Sequence, residues 1–589
     1  MYKFRQNEFA AMGVVLIALT CAAFSQEPSA ALKKADAAYR AGQAALALKD
    51  LSAAQTDFEQ VVQLVPQVEQ GHSALGAVLV SRGHAKEGIR ELEKALAMKS
   101  TDSVAQMNLA LAYEQIGSVE KAISMFSKLE TEARLQKRAL PSYVLAGYAR
   151  ALAANQQIGL ALSKMDAAVA TDPQNAELHD ELGSLYARQE DWDRARKEFE
   201  RAIRLDPNLA TAHLHLGLAM RAQDDKNGMP EMQRAEQLAP QNATIAMELG
   251  KALVADGKDE QAIPIFRRVL EADPGSVVAS YQLGLALQRS NEAQEAIVLL
   301  RQVVAAEPDN AEAMTNLGMA LCQAQQAKEA VPVLQHSISI APGNVTAHQN
   351  LAAAYVQLSQ FGDAVVELHQ ALKLAPDAPQ LHYDLGLALK MQDDAAGAIP
   401  ELEAAQRLDP SAAEAPYLLG VLYMQIGRYE DAAREMNLSL KLRPENGDGW
   451  ATLGSVYDKL NKLPEAEKAL REAIRQLPNQ PDPHLTLATV LAKQNQASET
   501  AAERKTAAGL MRGNMNHQRA EVATNAGNSA LRNGDVEGSI TQFNDALSYD
   551  TNYAEAHLGL AAALDRQGKT AEAAAERQKA EAVKRAGNP

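Results

Sequence analysis

Histidine is the residue type in this chain best suited to hold a metal or move a proton, and its spacing is regular. Of 12 histidines, seven (His72, His179, His213, His348, His382, His484 and His557) stand four residues before a recurring glycine or alanine. Trp450 holds the same offset, which marks it as a helix-packing position. Ligands to one zinc must converge within about 2.1 Å of it, whereas equivalent residues of successive packed helices sit about 8–10 Å apart or more. His213 and His215 point to different helix faces. The acidic pairs Asp224–Asp225 and Asp393–Asp394 fall between apolar stretches, where carboxylates cap helices. HExxH, GxxxxGK[ST] and GxSxG are all missing from the chain. The residues therefore predict no catalytic site, no metal, no cofactor and no enzyme.

The elements that must position these residues follow one period. Leu182-Gly183, Leu216-Gly217, Leu249-Gly250, Leu283-Gly284, Leu317-Gly318, Leu385-Gly386, Leu419-Gly420 and Leu453-Gly454 recur roughly every 34 residues, as one supersecondary unit copied along a solenoid does. One interval is a single residue shorter, and Ala352 fills the one vacant slot. Counted from this key residue, a small side chain follows at +12, as in Ala296, Ala330 and Ala364, and a large apolar one at +16, as in Phe199, Phe266 and Leu334. Proline follows at +24, as in Pro308, Pro342 and Pro376. Spacings of three, four and seven between apolar positions mark the buried stripe of an amphipathic helix, and proline closes it.

At +7 from the key residue stand Gly83, Gly117, Gly257, Gly427, Gly534 and Gly568, or Asn291, Asn461 and Asn495. These residue types tolerate the left-handed conformation that ends a helix. Each unit reads helix, tight turn, helix, proline, and the small residues let its two helices approach closely. The register places key residues at Gly42, Gly76, Ala110, Ala149, Gly183, Gly217, Gly250, Gly284, Gly318, Ala352, Gly386, Gly420, Gly454, Ala488, Gly527 and Ala561, which makes sixteen units. The joints from Ala110 to Ala149 and from Ala488 to Gly527 exceed the common period, and each holds a five-residue insertion.

The copy with Trp450, Leu453, Gly454, Tyr457, Ala466, Leu470, Ala473 and Pro478 resembles the tetratricopeptide repeat. The resemblance implies an all-α, right-handed α-solenoid superhelix of about sixteen helix-turn-helix units. It also implies a concave groove lined by first helices, at positions three before and one after the key residue. Here those positions give Tyr281, Leu285, Met319, Tyr383, Leu387, Tyr417 and Val421, an apolar and aromatic lining suited to a peptide segment or a partner's helix. Two specialised modes of the family are excluded. The slot three before the key residue carries no lysine or arginine, as a clamp for acidic chaperone tails needs, and an asparagine ladder two before it is absent.

Net charge is −16 over 589 residues, spread through the units, with no basic footprint for nucleic acid. Lys3 and Arg5 precede an apolar run from Ala10 to Phe24, which resembles a secretory signal peptide cleaved near Ala23-Phe24-Ser25. The run is too short for a comfortable membrane span, although an N-terminal anchor is the alternative. The mature chain would keep one cysteine, Cys322, and form no internal disulfide. The organisation expected is 1–25 signal peptide or anchor, 26–570 solenoid, and 571–589 a polar capping helix. The expected function is a non-enzymatic scaffold, exported to a bacterial envelope, that binds protein or peptide partners. The alternative is an accessory subunit of an envelope export or polysaccharide-secretion assembly.

Overall fold

The computed structural model describes residues 30–586; the expected leader, 1–25, lies outside the described residues. Within them the chain forms 31 helices, from Ala30–Ala47 to Thr570–Ala586, and no strand. No described helix is long and apolar enough to cross a membrane. The helices fall into two compact units, Met1–Ser290 and Asn291–Pro589. Each unit is an α-solenoid, in which a helix packs on its neighbours in sequence and on the next-but-one first helix.

The Gly318 repeat shows how the sequence builds one unit. Asn310 caps the first helix, Ala311–Gln323, its side chain accepting a hydrogen bond from Ala313 N–H. Ala313, Met314, Leu317 and Leu321 are buried on this helix, and Ala330 and Leu334 on the second, Ala327–Ile340. Gly318 lies so close to Leu334 that a Cβ there would meet Leu334 Cγ and Cδ2 at 2.4 Å. The key residue is small because the +16 side chain occupies its space. Ala341, before Pro342, takes φ −127° and ψ 77° and ends the second helix.

The turn between the helices departs from the sequence expectation. The +7 position adopts positive φ in every repeat: in the six glycines, in the three asparagines, and also in Lys49, Gln156, Glu190, Asp224, Gln325, Ser359 and Asp393. Gln326 N–H donates to Leu321 O at 2.8 Å and Gln325 N–H to Cys322 O at 3.0 Å. This pair of bonds satisfies carbonyls that the helix end leaves open, so the geometry persists where the residue type does not favour it. In the two acidic pairs, the first aspartate holds the left-handed position. The second differs between them: Asp394 caps the next helix, accepting from Gly397 N–H, whereas Asp225 accepts from Asn227 N–H within the turn before the helix.

The two long joints differ. After Ala110, the second helix Val119–Leu135 runs to 17 residues, and Lys137 at φ 55° and Pro141 then break the chain before Ser142–Ala154. After Ala488 there is no break. The second helix of that repeat and the first helix of the next form one 36-residue helix, Ala497–Arg532, so sixteen repeats give 31 helices. The cause is the missing punctuation: no proline lies between Pro483 and Pro589. Gly509 and Gly513 stay helical with nothing within 4 Å of a Cβ built there. The polar stretch near the C-terminus is helical from Thr570 to Ala586 and lays the buried Ala573 and Ala580 against Ala554–Arg566.

Candidate partner-binding surface

Positions three before and one after the key residue are four apart, so both lie on one stripe of the first helix. All seven sequence-nominated residues on this stripe are partly buried. In the second unit, Tyr383, Leu387, Tyr417 and Val421 pack against one core cluster, with Tyr355, Val356 and Met424 beside them. Met319 lies in the same unit but outside that cluster, and Tyr281 and Leu285 belong to the first unit. The structure thus brings four of the seven together.

The electrostatics of the four-residue patch leave its phenols neutral. Burial pushes the Tyr383 hydroxyl up from its ordinary value, and the carboxylates of Glu414 and Asp384 push further. Burial likewise raises Tyr417, with Asp448 adding to it and a hydrogen bond to Thr452 opposing. Asp384 sits beside Tyr383 and is also raised by burial, against the pull of Gln349 and Gln380 Nε2, each donating to it at 2.8 Å. Glu414 is tied to Arg443. The patch is therefore an apolar floor with neutral phenolic groups and a half-buried carboxyl at its edge.

Two equivalent slots in the first unit, Arg150 and Asp180, are spent on links between neighbouring first helices. Arg150 Nε donates to Glu114 at 3.1 Å and its Nη1 meets Glu181 Oε2 at 3.1 Å. Burial opposes the Arg150 charge, but Glu181 and Glu114 override it and the guanidinium is held firmly protonated. Asp180 Oδ1 lies 2.7 Å from His215 Nδ1. These side chains pair with each other, which sets them apart from the Tyr383–Val421 patch.

The periodic histidines hold the helix-packing position that the sequence indicates, through hydrogen-bond partners that the sequence reading did not name. His348 Nε2 donates to Pro342 O at 3.2 Å, and its Nδ1 lies 2.6 Å from Glu367 Oε2. His72, His179, His213 and His382 repeat both contacts, with Glu91, Glu198, Glu231 and Glu401 as the acids. His557 pairs with Glu576 and donates to Thr551 O, while His484 keeps only the acid, Glu503. Trp450, with a single ring nitrogen, donates to Pro444 O at 2.9 Å, and Ala469 stands where the acid would be. Every ring but that of His484 pins a first helix to the preceding loop, and each with an acid present pins it to its own second helix. The signal was legible as a glutamate at a constant offset from each histidine, one position shorter in the short repeat.

Cys322 is buried, 7% exposed, and its Sγ lies 3.8 Å from Asn350 O. Burial pushes the thiol up to about 11, so thiolate chemistry at neutral pH is suppressed.

Family models agree with this architecture over most of the chain. TPR repeat and tetratricopeptide repeat models match residues 36–67, 73–137, 183–224, 230–277, 287–353, 354–393, 389–455, 447–479 and 524–589. The chain belongs to the tetratricopeptide repeat family. A comparison with curated proteins gives no match. Among solved structures, the APC/C hetero-tetramer Cut9–Hcn1 is 16% identical and matches 91% of this chain and 97% of that one, with a TM-score of 0.33. YrrB, described as a TPR protein with an unusual peptide-binding site, is 22% identical over 31% of this chain and 95% of its own, with a TM-score of 0.30. PilF of Pseudomonas aeruginosa is 22% identical over 34% of this chain and 92% of its own, with a TM-score of 0.31. These likenesses are of tetratricopeptide fold alone. Tetratricopeptide repeats serve as protein-interaction scaffolds, and that coarse role applies to this chain.

Proposed function

We propose that the chain is a non-enzymatic scaffold whose second unit takes a peptide segment of a partner protein on the patch formed by Tyr383, Leu387, Tyr417 and Val421. The observation that carries this reading is the grouping of these four half-exposed side chains on one cluster, whereas the equivalent Arg150 slot is filled by ion pairs. Rigid aromatic anchors on a preformed surface supply binding area at low entropic cost. Met319, in the same unit, is a secondary anchor in this reading; Tyr281 and Leu285 belong to the first unit and lie outside this site. The partner segment is apolar, since an unmatched charge over the floor would lose its hydration.

Photo-crosslinkers placed at Leu387 and Val421, followed by mass spectrometry of the adducts, test the assignment. Adducts to one partner that vanish in Tyr383→Ala with Tyr417→Ala support it; capture that is indifferent to this double substitution refutes it. Export to a bacterial envelope is part of the same proposal and rests on residues 1–25 of the sequence. Fractionation of the native host, with the mature N-terminus read by mass spectrometry, tests it. A chain found intact in the cytoplasm would refute export.

A further inference from the structure

The Ala497–Arg532 helix carries a second surface, outside the repeat register. Its middle turns are bare: Met511, Met515 and Val522 are 50%, 47% and 68% exposed, and Tyr549 of the next helix joins them at 43%. Residues 511, 515, 518, 522 and 526 share one helix face, about 22 Å long at 1.5 Å per residue. Two concave spaces line up along it. One, of about 540 Å³, lies between this face and Pro481; the other, of about 730 Å³, lies between it and Gln542, Asp545 and Tyr549. Met515 and Gln518 line both. The opening follows from the unbroken joint, because an uninterrupted helix cannot fold back over its own face as two shorter helices would.

The charge on this helix says what fits. From Arg504 to Ala520 it carries Arg504, Lys505, Arg512 and Arg519 and no carboxylate, within a chain of net charge −16; Glu521 and Asp545 each border one of the two spaces, which leaves the four cations in excess. The acids just before, Glu499 and Glu503, are engaged by Arg471 and His484. Arg519 rests over the Tyr549 ring at 5.8 Å, and none of the four cations has a carboxylate partner among the described residues. Pairing of two copies of this face would set these cations against one another, and like charges at a helix contact repel. A lipid surface is flat where these spaces are concave, and a convex row of side chains fills them better.

We propose that this helix is a second docking site, separate from the Tyr383–Val421 patch, and that it takes an acidic amphipathic helix of a partner protein. Apolar side chains at three- and four-residue spacing enter the two spaces, and flanking carboxylates meet Arg512 and Arg519.

The full chain is titrated with a labelled helical peptide of about four turns, bearing leucines at i, i+4, i+7 and i+11 and glutamates on its flanks. A lysine-flanked version and phosphatidylglycerol vesicles serve as competing arms. The acidic peptide should bind, weaken with added salt, and lose about tenfold or more in affinity in Met515→Asp, or about 1.4 kcal/mol. Arg512→Glu with Arg519→Glu should reverse the preference between the two peptides. All three residues are exposed, and unchanged thermal unfolding verifies that the variants fold. Tyr383→Ala with Tyr417→Ala should leave this binding intact. No binding of the acidic peptide, or equal binding of both peptides, would overturn the proposal. So would binding that survives Met515→Asp, vesicle adsorption alone, or a self-association abolished by Met515→Asp.

Discussion

Two glycine-to-alanine exchanges in helices of this chain should move stability in opposite directions, because one glycine is a packing requirement and the other is not. At Gly318 the added methyl would sit 2.4 Å from Cγ and Cδ2 of the fully buried Leu334. Overpacking of this kind costs ~1–3 kcal/mol, against ~1 kcal/mol gained when alanine replaces a helical glycine. Leu334 has no space to retreat into, which puts the overpacking at the upper end of that range, ~2–3 kcal/mol, and the net expectation is a loss of ~1–2 kcal/mol. At Gly509 the same methyl meets nothing within 4 Å, and only the gain of ~0.5–1 kcal/mol remains. Repeat arrays sum local terms, so the readout must also be local. Native-state hydrogen exchange of segments 311–340 and 497–532, followed by mass spectrometry, provides it. In Gly318→Ala, exchange of the first segment should speed up by about 5- to 30-fold, while Gly509→Ala should slow the second. Shifts of the same sign in both variants would refute the claim that the key residue is small because of the side chain at +16.

The turn geometry predicts a gain at Ser359, which holds φ 59°. A left-handed L-residue costs ~1–2 kcal/mol, and glycine returns ~0.4–1 kcal/mol of that through the unfolded chain. Ser359→Gly should therefore stabilise segment 345–374 by ~0.5–1 kcal/mol, measured by hydrogen exchange, and a net loss would contradict it. The histidine–glutamate links predict acid sensitivity. Burial pushes Glu91 and Glu576 up, but hydrogen bonds from Lys94 and His72, and from Lys579 and His557, outweigh it and hold both below the ordinary carboxylate value. The stability they contribute is present above that value and is lost as pH falls through and below it. Glu91→Gln should flatten the acid limb of unfolding in segment 69–98, and an unchanged limb would count against the link. Cys322, with its thiol pushed up to about 11, should resist iodoacetamide at neutral pH until urea opens its repeat; rapid labelling of the folded chain would contradict its burial.

The repeat was readable because each of its positions is a steric demand that only a few residue types meet. The glycine beneath Leu334 and the proline after Ala341 reflect local geometry, so they recur wherever the unit does. The left-handed turns were only half readable. Glycine and asparagine advertise them, but Gln325 and Ser359 adopt the same conformation because the surrounding helix pair and its hydrogen bonds impose it. The fused helix Ala497–Arg532 was the least readable element. The insertions look alike in both long joints, and the outcome turns on whether a breaker is present, as Pro141 is in one and no proline is in the other.

The candidate surface shows a different limit. Periodicity located every slot on the first-helix face, but it did not say which slots are free. Arg150 and Tyr417 stand on the same stripe of equivalent helices, yet Arg150 is consumed by Glu114 and Glu181, whereas Tyr417 stays half-exposed. Whether a slot is free depends on what stands one repeat away, so it is a property of residue pairs in adjacent repeats rather than of single positions. The same reasoning bears on selectivity. Asp384 borders the tyrosine patch with its carboxyl raised by burial, so a carboxylate-bearing segment would meet a group already reluctant to ionise beside neutral phenols. An apolar segment avoids that encounter. If Asp384→Asn left the patch's preference between an apolar peptide and its aspartate-substituted version unchanged, the carboxyl would have no part in selecting the partner.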